Sequence, residues 1–314
     1  MTITQLEYAV ALETHRQFGR AAEACSVTQS TLSMQIQKLE EDLGLRLFDR
    51  SQPITPTEAG REVLAQARRV LRECEQLRSL VDQQKNELAG ELRLGVIPTV
   101  APYLLPLFLG SFLKNYPDVQ LKITELTTGP LLERLKTQTL DAGLLVTPLS
   151  DAQFTEHRLF EEELVAYVSP ENGLYPKKFL LSDEIDPGEL WLLEEGHCLR
   201  SQIEALCQLK RRFADSGFEY QSGSLETLRR MVHTNGGVTI LPEMATYDFD
   251  EDQMALIRHF QEPAPVREVS LVTHRNYQKF RLIEALGGEI QSALPARLRP
   301  AAQRRVVPVS SAPV

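Results

Sequence analysis

Residues 18–50 read FGRAAEACSVTQSTLSMQIQKLEEDLGLRLFDR, and PTEAG follows at 56–60. An alanine-rich turn of helix from Gly19 to Cys25 leads through Ser26-Val27 into a second helix from Thr28 to Leu43, where Leu32, Ile36, Leu39 and Leu43 form one apolar stripe. Ala21, Ala22, Cys25 and Val27 are compact enough to let the two helices pack closely, as a helix-turn-helix requires. Outside its stripe the second helix carries Gln29, Ser30, Thr31, Ser33, Met34, Gln37 and Lys38. In a DNA major groove, glutamine can pair with adenine through two hydrogen bonds, and serine or threonine can reach a base edge or a phosphate. Taken alone, an ordinary surface helix capped by Thr28 explains the polar face equally well. The neighbouring segments decide between the two.

Upstream, Ile3 to Thr14 repeats apolar residues at Leu6, Val10 and Ala11 and supplies a third helix. Downstream, Leu47 to Arg50 and the proline-punctuated Gln52 to Pro56 read as a wing, with Thr57 as the N-cap of a new helix. From Gly60 to Leu88 that helix places Val63, Ala67, Val70, Cys74, Leu77, Val81 and Leu88 at alternating gaps of four and three, with Gln84 in the one polar slot. Such a heptad seam is expected to pair two copies of the chain, the alternative being packing on its own N-terminal domain. Residues 1–90 hold 11 Lys+Arg against 13 Asp+Glu, so the head is not basic overall. Arg46, Arg50, Arg61, Arg68, Arg69 and Arg72 nevertheless outnumber Asp49, Glu58 and Glu62 within 43–72. Positive charge is thus concentrated where phosphates of double-stranded DNA would lie, and Arg50 is expected to anchor one of them.

Beyond Ala89-Gly90, strand and helix patterns alternate. Strands are expected at 91–97, 119–125 and 142–147, with helices at 101–115 and 130–137 between them. A second run brings strands at 164–168, 190–193 and 237–241, helices from Leu199 to about Phe213 and over 225–232, then a strand at 268–273 and a helix at 277–294. The expected fold is α/β and multidomain: a winged helix-turn-helix (1–60), a dimerisation linker helix (61–89) and a periplasmic-binding-protein-like regulatory domain (90–294). Within the last, subdomain I takes 90–163 and 267–294, and subdomain II takes 164–266, with a cleft between them. The Pro-, Ala- and Arg-rich stretch 295–314 is expected to be a flexible tail.

The full 314 residues have room for two or three cores, and 42% hydrophobic with 25% charged residues excludes bulk disorder. No apolar run is long enough to span a membrane and no secretory signal opens the chain, so a cytoplasmic location without membrane contact is expected. A net charge of −9 excludes a protein that coats nucleic acid by charge alone, yet it leaves room for a small reading head. The four cysteines, at 25, 74, 198 and 207, lack metal-ligand spacing, so no metal and no cofactor are expected, and in a reducing compartment they rest as thiols.

Cys25 and Cys74 sit in the helix-turn-helix and in the seam and read as packing residues. Cys198 stands at the expected start of a helix beside His197 and Arg200, where partial positive charge favours the thiolate. Cys207, beside Leu206 and one turn after Ile203, reads as a buried, inert thiol. On an unbroken helix the two Cα atoms lie about 13 Å apart, at about 1.5 Å rise per residue. A disulfide requires about 7 Å or less, so any bond between them demands a conformational change.

The 18–50 stretch together with PTEAG resembles the N-terminal domain of LysR-type transcriptional regulators, and the domain order extends the resemblance over nearly the whole chain. One departure is that 48–60 is a residue shorter than the common family wing. GHCLR at 196–200 with Cys207 nine residues beyond Cys198, IPTVAPYLLP at 97–106 and SLETLRRMV at 224–232 resemble the hydrogen-peroxide-sensing members of that family. The resemblance implies that peroxide oxidises Cys198 to a sulfenic acid, that Cys207 condenses with it, and that glutaredoxin or a similar thiol reductant resets the pair. It implies a homotetramer that rearranges on promoter DNA, recruits RNA polymerase and activates oxidative-stress genes, acting as a regulator rather than an enzyme.

By the same resemblance Thr99, Thr128, His197 and Arg267 line the peroxide pocket. Each has a plainer role available: Thr99 and Thr128 as helix caps, His197 as a satisfied surface residue, Arg267 as a partner near Glu268. Ser201 stands where the family often carries an acid, and the stretch between Cys207 and Ser224 aligns poorly. Two other readings stay open: a LysR-type regulator that binds a metabolite in its cleft, and a thiol peroxidase, which leaves the reading head and the seam unexplained.

Overall fold

The computed structural model describes residues 1–51, 53–84, 88–207, 223–277, 279–298 and 305–307. Two compact units divide the chain, 1–87 and 88–314.

In the first unit, α1 (Ile3–His15) opens with a reciprocal cap: the Thr2 hydroxyl accepts from the Gln5 amide while the Gln5 side chain accepts from the Thr2 N–H. After α2 (Phe18–Ala24), Ser26 takes a left-handed conformation (φ 55°) and Val27 N–H bonds back to Ala22 O, producing the tight turn. Helix α3 (Gln29–Leu43) is capped by Thr28, whose hydroxyl accepts from Thr31 N–H, and is stopped by Gly44 at φ 69°. Ala21, Ala22, Leu32, Ile36 and Leu39 meet α1 in one core. Strands β1 (Phe48–Asp49) and β2 (Thr55–Pro56) pair antiparallel as the wing. The buried Glu40 carboxylate of α3 accepts from Leu47 N–H and Phe48 N–H, tying the wing to that helix.

Helix α4 (Glu58–Gln84) starts two residues earlier than the apolar pattern indicates, because Thr57 caps it by accepting from Gly60 N–H. Its expected seam divides. Ala67 is buried, and Val63 and Val70 pack against the head's own core, whereas Leu77 is 65% exposed. The Val81 side chain lies outside the described residues, and Leu88 is not helical but packs against the core of the second unit.

That unit is a mixed α/β structure, as the alternating pattern implies. Strand β3 (Gly90–Val96), α5 (Ala101–Asn115), β4 (Val119–Glu125), α6 (Thr128–Lys136) and β5 (Ala142–Thr147) form parallel βαβ units in the order β4-β3-β5. Next comes β6 (Phe154–Val168), of which the expected strand at 164–168 is only the end. Along the remaining chain follow β7 (Phe179–Leu180), β8 (Leu190–Trp191), α7 (Cys198–Leu206), α8 (Leu225–Asn235), β9 (Val238–Pro242), α9 (Glu251–Met254), β10 (Ile257–Phe260), β11 (Pro265–His274), α10 (Phe280–Ala293) and β12 (Arg305–Val306). Residues 154–163 of β6 pair antiparallel with β11, while 164–168 pair with β9 and 166–167 with β10. One strand therefore serves two cores. The first gathers β3, β5, α5 and α10; the second gathers the end of β6 with β9, β10, α8 and most of α7. The expected helix reaching Phe213 is described only to Leu206, since 208–222 lie outside the described residues.

The expected flexible tail is corrected in two places. Ala296–Leu298 form a 3-10 turn with Leu298 buried in the first core, and β12 pairs parallel with the start of β11. The physical reason is that Leu298 and Val307 each find an apolar core within reach, while Arg297 stacks on the Tyr247 ring and pairs with Glu243. The rest of 295–314 beyond Leu298, apart from 305–307, lies outside the described residues.

Candidate functional site: a buried thiol between two cores, and a reading helix

Helix α7 is amphipathic, and its two ends address different cores. Cys198, its first residue, is buried in the first core, whereas Leu199, Ile203, Leu206 and Cys207 are buried in the second. The helix is unbroken to its end, where Cys207 N–H bonds Ile203 O at 2.9 Å. Nine residues of helical rise separate the two cysteine Cα atoms by about 13 Å, well beyond disulfide range.

Around Cys198 the polar groups come from four separate segments. Arg267 of β11 is fully buried and donates to the fully buried Glu162 of β6 (Nε to Oε1, 2.9 Å), its facing residue in the strand register. Nη2 also lies 2.7 Å from the same Glu162 oxygen, and two further bonds go to Thr99, from Nη1 to Oγ1 at 3.1 Å and from Nη2 to the carbonyl at 2.9 Å. The other Glu162 oxygen accepts from Met244 N–H at 2.9 Å. Each nitrogen of the guanidinium thus has a fixed acceptor, which is what a buried ion pair needs to be tolerated. Thr128, the first residue of α6, has a buried hydroxyl that bears on the Cys198 sulfur and makes no other hydrogen bond among the described residues.

Burial pushes the Cys198 thiol up; the Arg267 charge, the Thr128 hydroxyl and the amides at the start of α7 pull the other way and do not prevail. This overturns the expectation of a thiolate-favouring helix start. Desolvation outweighs the helix dipole, and Arg200 is turned elsewhere, donating to Leu193 O and Glu204. The cation that bears on the thiol is Arg267. His197 is buried rather than a surface residue, and burial holds its imidazole below the ordinary value despite the Glu194 carboxylate 3.7 Å away. Burial alone pushes Cys207 up to about 12, as an inert thiol would show.

Neither threonine serves as the N-cap of its helix. Thr99 accepts from Arg267, and the caps of α5 and α6 are Val100 and Thr127. Arg267 likewise has Glu162, not the neighbourhood of Glu268, as its partner; Glu268 pairs with Arg158 at 3.0 Å. Glu162 is the residue the sequence reading missed. Its signal was faint, the middle of a run of three carboxylates, Glu161 to Glu163, ahead of the apolar end of a strand.

On the reading helix, Gln29, Ser30, Met34, Gln37 and Lys38 are exposed, while Thr31 and Ser33 are half-buried. The hydroxyls of Ser30 and Thr31 lie within 3.0 and 2.8 Å of the Thr28 hydroxyl, and Gln37 donates to Glu41 at 3.0 Å. Arg50 extends from the wing, 54% exposed, with one nitrogen 3.5 Å from Glu40. The wing arginine and the wing backbone are thus both held to one carboxylate of the recognition helix.

Residues 3–61 match the family described as bacterial regulatory helix-turn-helix protein, lysR family, and residues 85–295 match the LysR substrate binding domain. The chain belongs to the LysR family. Among LysR relatives, a hydrogen peroxide-inducible genes activator of Haemophilus influenzae is 36% identical over 300 residues, 94% of this chain and 99% of that protein. Among solved structures, a full-length OxyR variant from Pseudomonas aeruginosa is similar at 34% identity with a TM-score of 0.76, over 93% of this chain and 98% of that one. A hydrogen-peroxide-bound OxyR variant from Corynebacterium glutamicum is similar at 27% identity with a TM-score of 0.61, over 93% and 92% of the two chains. Within the LysR architecture, the winged head is the DNA-binding part that regulates transcription, and the α/β unit corresponds to the substrate binding domain. Among the described residues, no helix is long and apolar enough to cross a membrane.

Proposed function

We propose that this LysR-family regulator activates transcription in response to hydrogen peroxide, with Cys198 as the sensing thiol and Cys207 as its resolving partner. The observation that carries the reading is the enclosure of Cys198 by the buried Thr128 hydroxyl, the buried His197 and the Arg267–Thr99 pair, at the first turn of a helix whose far end holds Cys207. A site this closed suits a small oxidant better than a metabolite, and the Thr128 hydroxyl stands beside the sulfur that such an oxidant would meet. Relatives named as peroxide-inducible activators support the same reading.

In the first step the Cys198 sulfur attacks one peroxide oxygen and the O–O bond breaks. Sulfur is oxidised by two electrons to the sulfenic acid, and the departing hydroxide leaves as water with the thiol proton. In the second, the Cys207 sulfur attacks the sulfenic sulfur, the S–S bond forms and a second water leaves. A dithiol reductant such as glutaredoxin returns two electrons and two protons. Because the reduced arrangement keeps the sulfurs on opposite ends of α7, the bond cannot form without rearranging that helix. The rearrangement is the signal. It alters how the copies of a homotetramer, paired through α4, set their reading heads on promoter DNA, and so how RNA polymerase is engaged. Gln29, Ser30, Thr31, Ser33, Met34, Gln37 and Lys38 face the bases, and Arg50 a phosphate.

Nuclease footprints on genomic fragments retained by the protein test the reading. The wild type should change its protected span on brief exposure to low peroxide, and Cys198→Ser should keep the reduced footprint throughout. An identical footprint for the wild type in both states would refute it.

A further inference from the structure

Between the two cysteines, α7 carries one polar side chain that its surroundings do not explain by the sensing chemistry. Gln202 lies one turn beyond Cys198 and is fully buried among Leu199, Ile203 and Leu206. An amide in such a place is costly unless it is hydrogen-bonded. Its Nε2 donates at 2.7 Å to the carbonyl of Val307, a residue 105 positions away, and its Oε1 has no partner among the described residues. A backbone carbonyl can only accept, which fixes the amide nitrogen on that side.

Val307 is itself buried in the second core, and its N–H bonds Val266 O at 2.8 Å beside the β12 pairing of Arg305 with Pro265 and Val306 with Val266. The next residue along β11 is Arg267. Upstream of β12, Leu298 is anchored in the first core and Arg297 on Tyr247 and Glu243. The C-terminal segment therefore holds both cores and, through a single amide, the middle of the helix that separates the two sulfurs.

We propose that β12 and Val307 form a clasp that Gln202 closes on the reduced form of α7, and that the clasp opens when Cys198 and Cys207 join. The proposal rests on the peroxide-sensing reading above. To bring the cysteine Cα atoms from about 13 Å to within about 7 Å, residues 199–206 must leave helical spacing, and Gln202 sits at their midpoint. The contact to Val307 cannot survive that movement. A contact made only in the reduced form stabilises that form, and so sets how oxidising the cell must be before the switch is thrown. The clasp is also small enough to open: a parallel ladder of two register pairs, one side-chain hydrogen bond and one buried valine hold it.

The test uses full-length Gln202→Met, which keeps the helix and loses the donor, Val307→Asp, which expels the strand from its core, and the double variant. Midpoint potentials are measured by thiol counting in glutathione redox buffers. Each single variant should favour the disulfide roughly tenfold, a potential about 30 mV more negative for this two-electron couple. The double variant should match the singles instead of doubling the shift, because both remove one coupled contact. Hydrogen exchange gives an independent readout: the Val307 amide and the amides of 202–206 should exchange faster in both variants while reduced, and the Val307 amide faster in oxidised than in reduced wild type. If the wild type forms its disulfide but both variants keep its potential and exchange, the clasp is refuted and the sensing reading stands. If the wild type forms no disulfide, the sensing reading fails, and the clasp as a device of the switch fails with it.

Discussion

Replacing Glu162 by glutamine exchanges one oxygen for an NH2 group and changes no volume to speak of, yet it should be among the most damaging single substitutions in the regulatory unit. One carboxylate oxygen accepts from Arg267 and the other from Met244 N–H, in a site where neither Glu162 nor Arg267 has any exposure. A glutamine has only one acceptor oxygen. Turned either way, its NH2 faces a buried donor, and the guanidinium charge has lost its counterion. Breaking a buried ion pair from one side costs about 3–5 kcal/mol, far more than the pair contributes relative to an apolar filling of the same space. For a unit of this size each kcal/mol moves the midpoint by about 2–4 °C, so a drop of roughly 6–20 °C is expected for the regulatory transition in calorimetry. Arg267→Met combined with Glu162→Leu should recover a large part of the loss, since no unpaired charge is then buried. A Glu162→Gln protein within about 1 kcal/mol of the wild type would refute the reasoning, because the pair would then be neither dry nor the neutralising partner of Arg267.

Neutralising Arg50 with glutamine should weaken binding to all duplexes alike and reduce the slope of log K against log salt by about 0.9, the signature of one lost phosphate contact; an unchanged slope removes Arg50 from the interface. His197 gives the regulatory unit an acid-side sensitivity. Its folded value lies below the ordinary 6.5, so between the two values the unfolded chain binds a proton that the native protein does not, and stability falls as pH drops through that window. His197→Asn should flatten this part of a urea-midpoint profile against pH. For Cys207 the sign is reversed at the other end: the unfolded thiol ionises first, so stability falls as pH rises above the ordinary thiol range, and Cys207→Ala should lessen the decline. Gly60→Ala should loosen the junction of wing and α4, because a Cβ there would meet the Leu47 carbonyl oxygen at 2.0 Å, and the lower melting temperature should be accompanied by weaker DNA binding.

The reading head was legible because its signals are local. A cap at Thr28, a stop at Gly44, small residues at Ala21 and Ala22 and an apolar stripe from Leu32 to Leu39 all act within a few residues of themselves. The parallel part of the second unit was legible for the same reason, in the alternation of β3, α5, β4, α6 and β5. What escaped was set by register and burial. Glu162 and Arg267 are 105 residues apart, and only the pairing of β6 with β11 places one opposite the other. The flanks of Cys198 suggest an activated thiol, but where a helix start is inserted into a neighbouring core, desolvation decides the ionisation. The tail composition suggested mobility for a similar reason, since composition does not reveal that Leu298 and Val307 each have a core to enter. In α4 the heptad spacing marks apolar positions correctly, but it does not say that Ala67 faces its own domain while Leu77 does not.

Free-thiol counting before and after brief exposure to low peroxide, with peptide mapping of the product, bears most directly on the sensing claim. The wild type, with four free cysteines, should lose two thiols and yield a peptide linked through Cys198 and Cys207, while Cys198→Ser should lose none. A wild type that keeps all four thiols, or that links a different pair, would contradict the account.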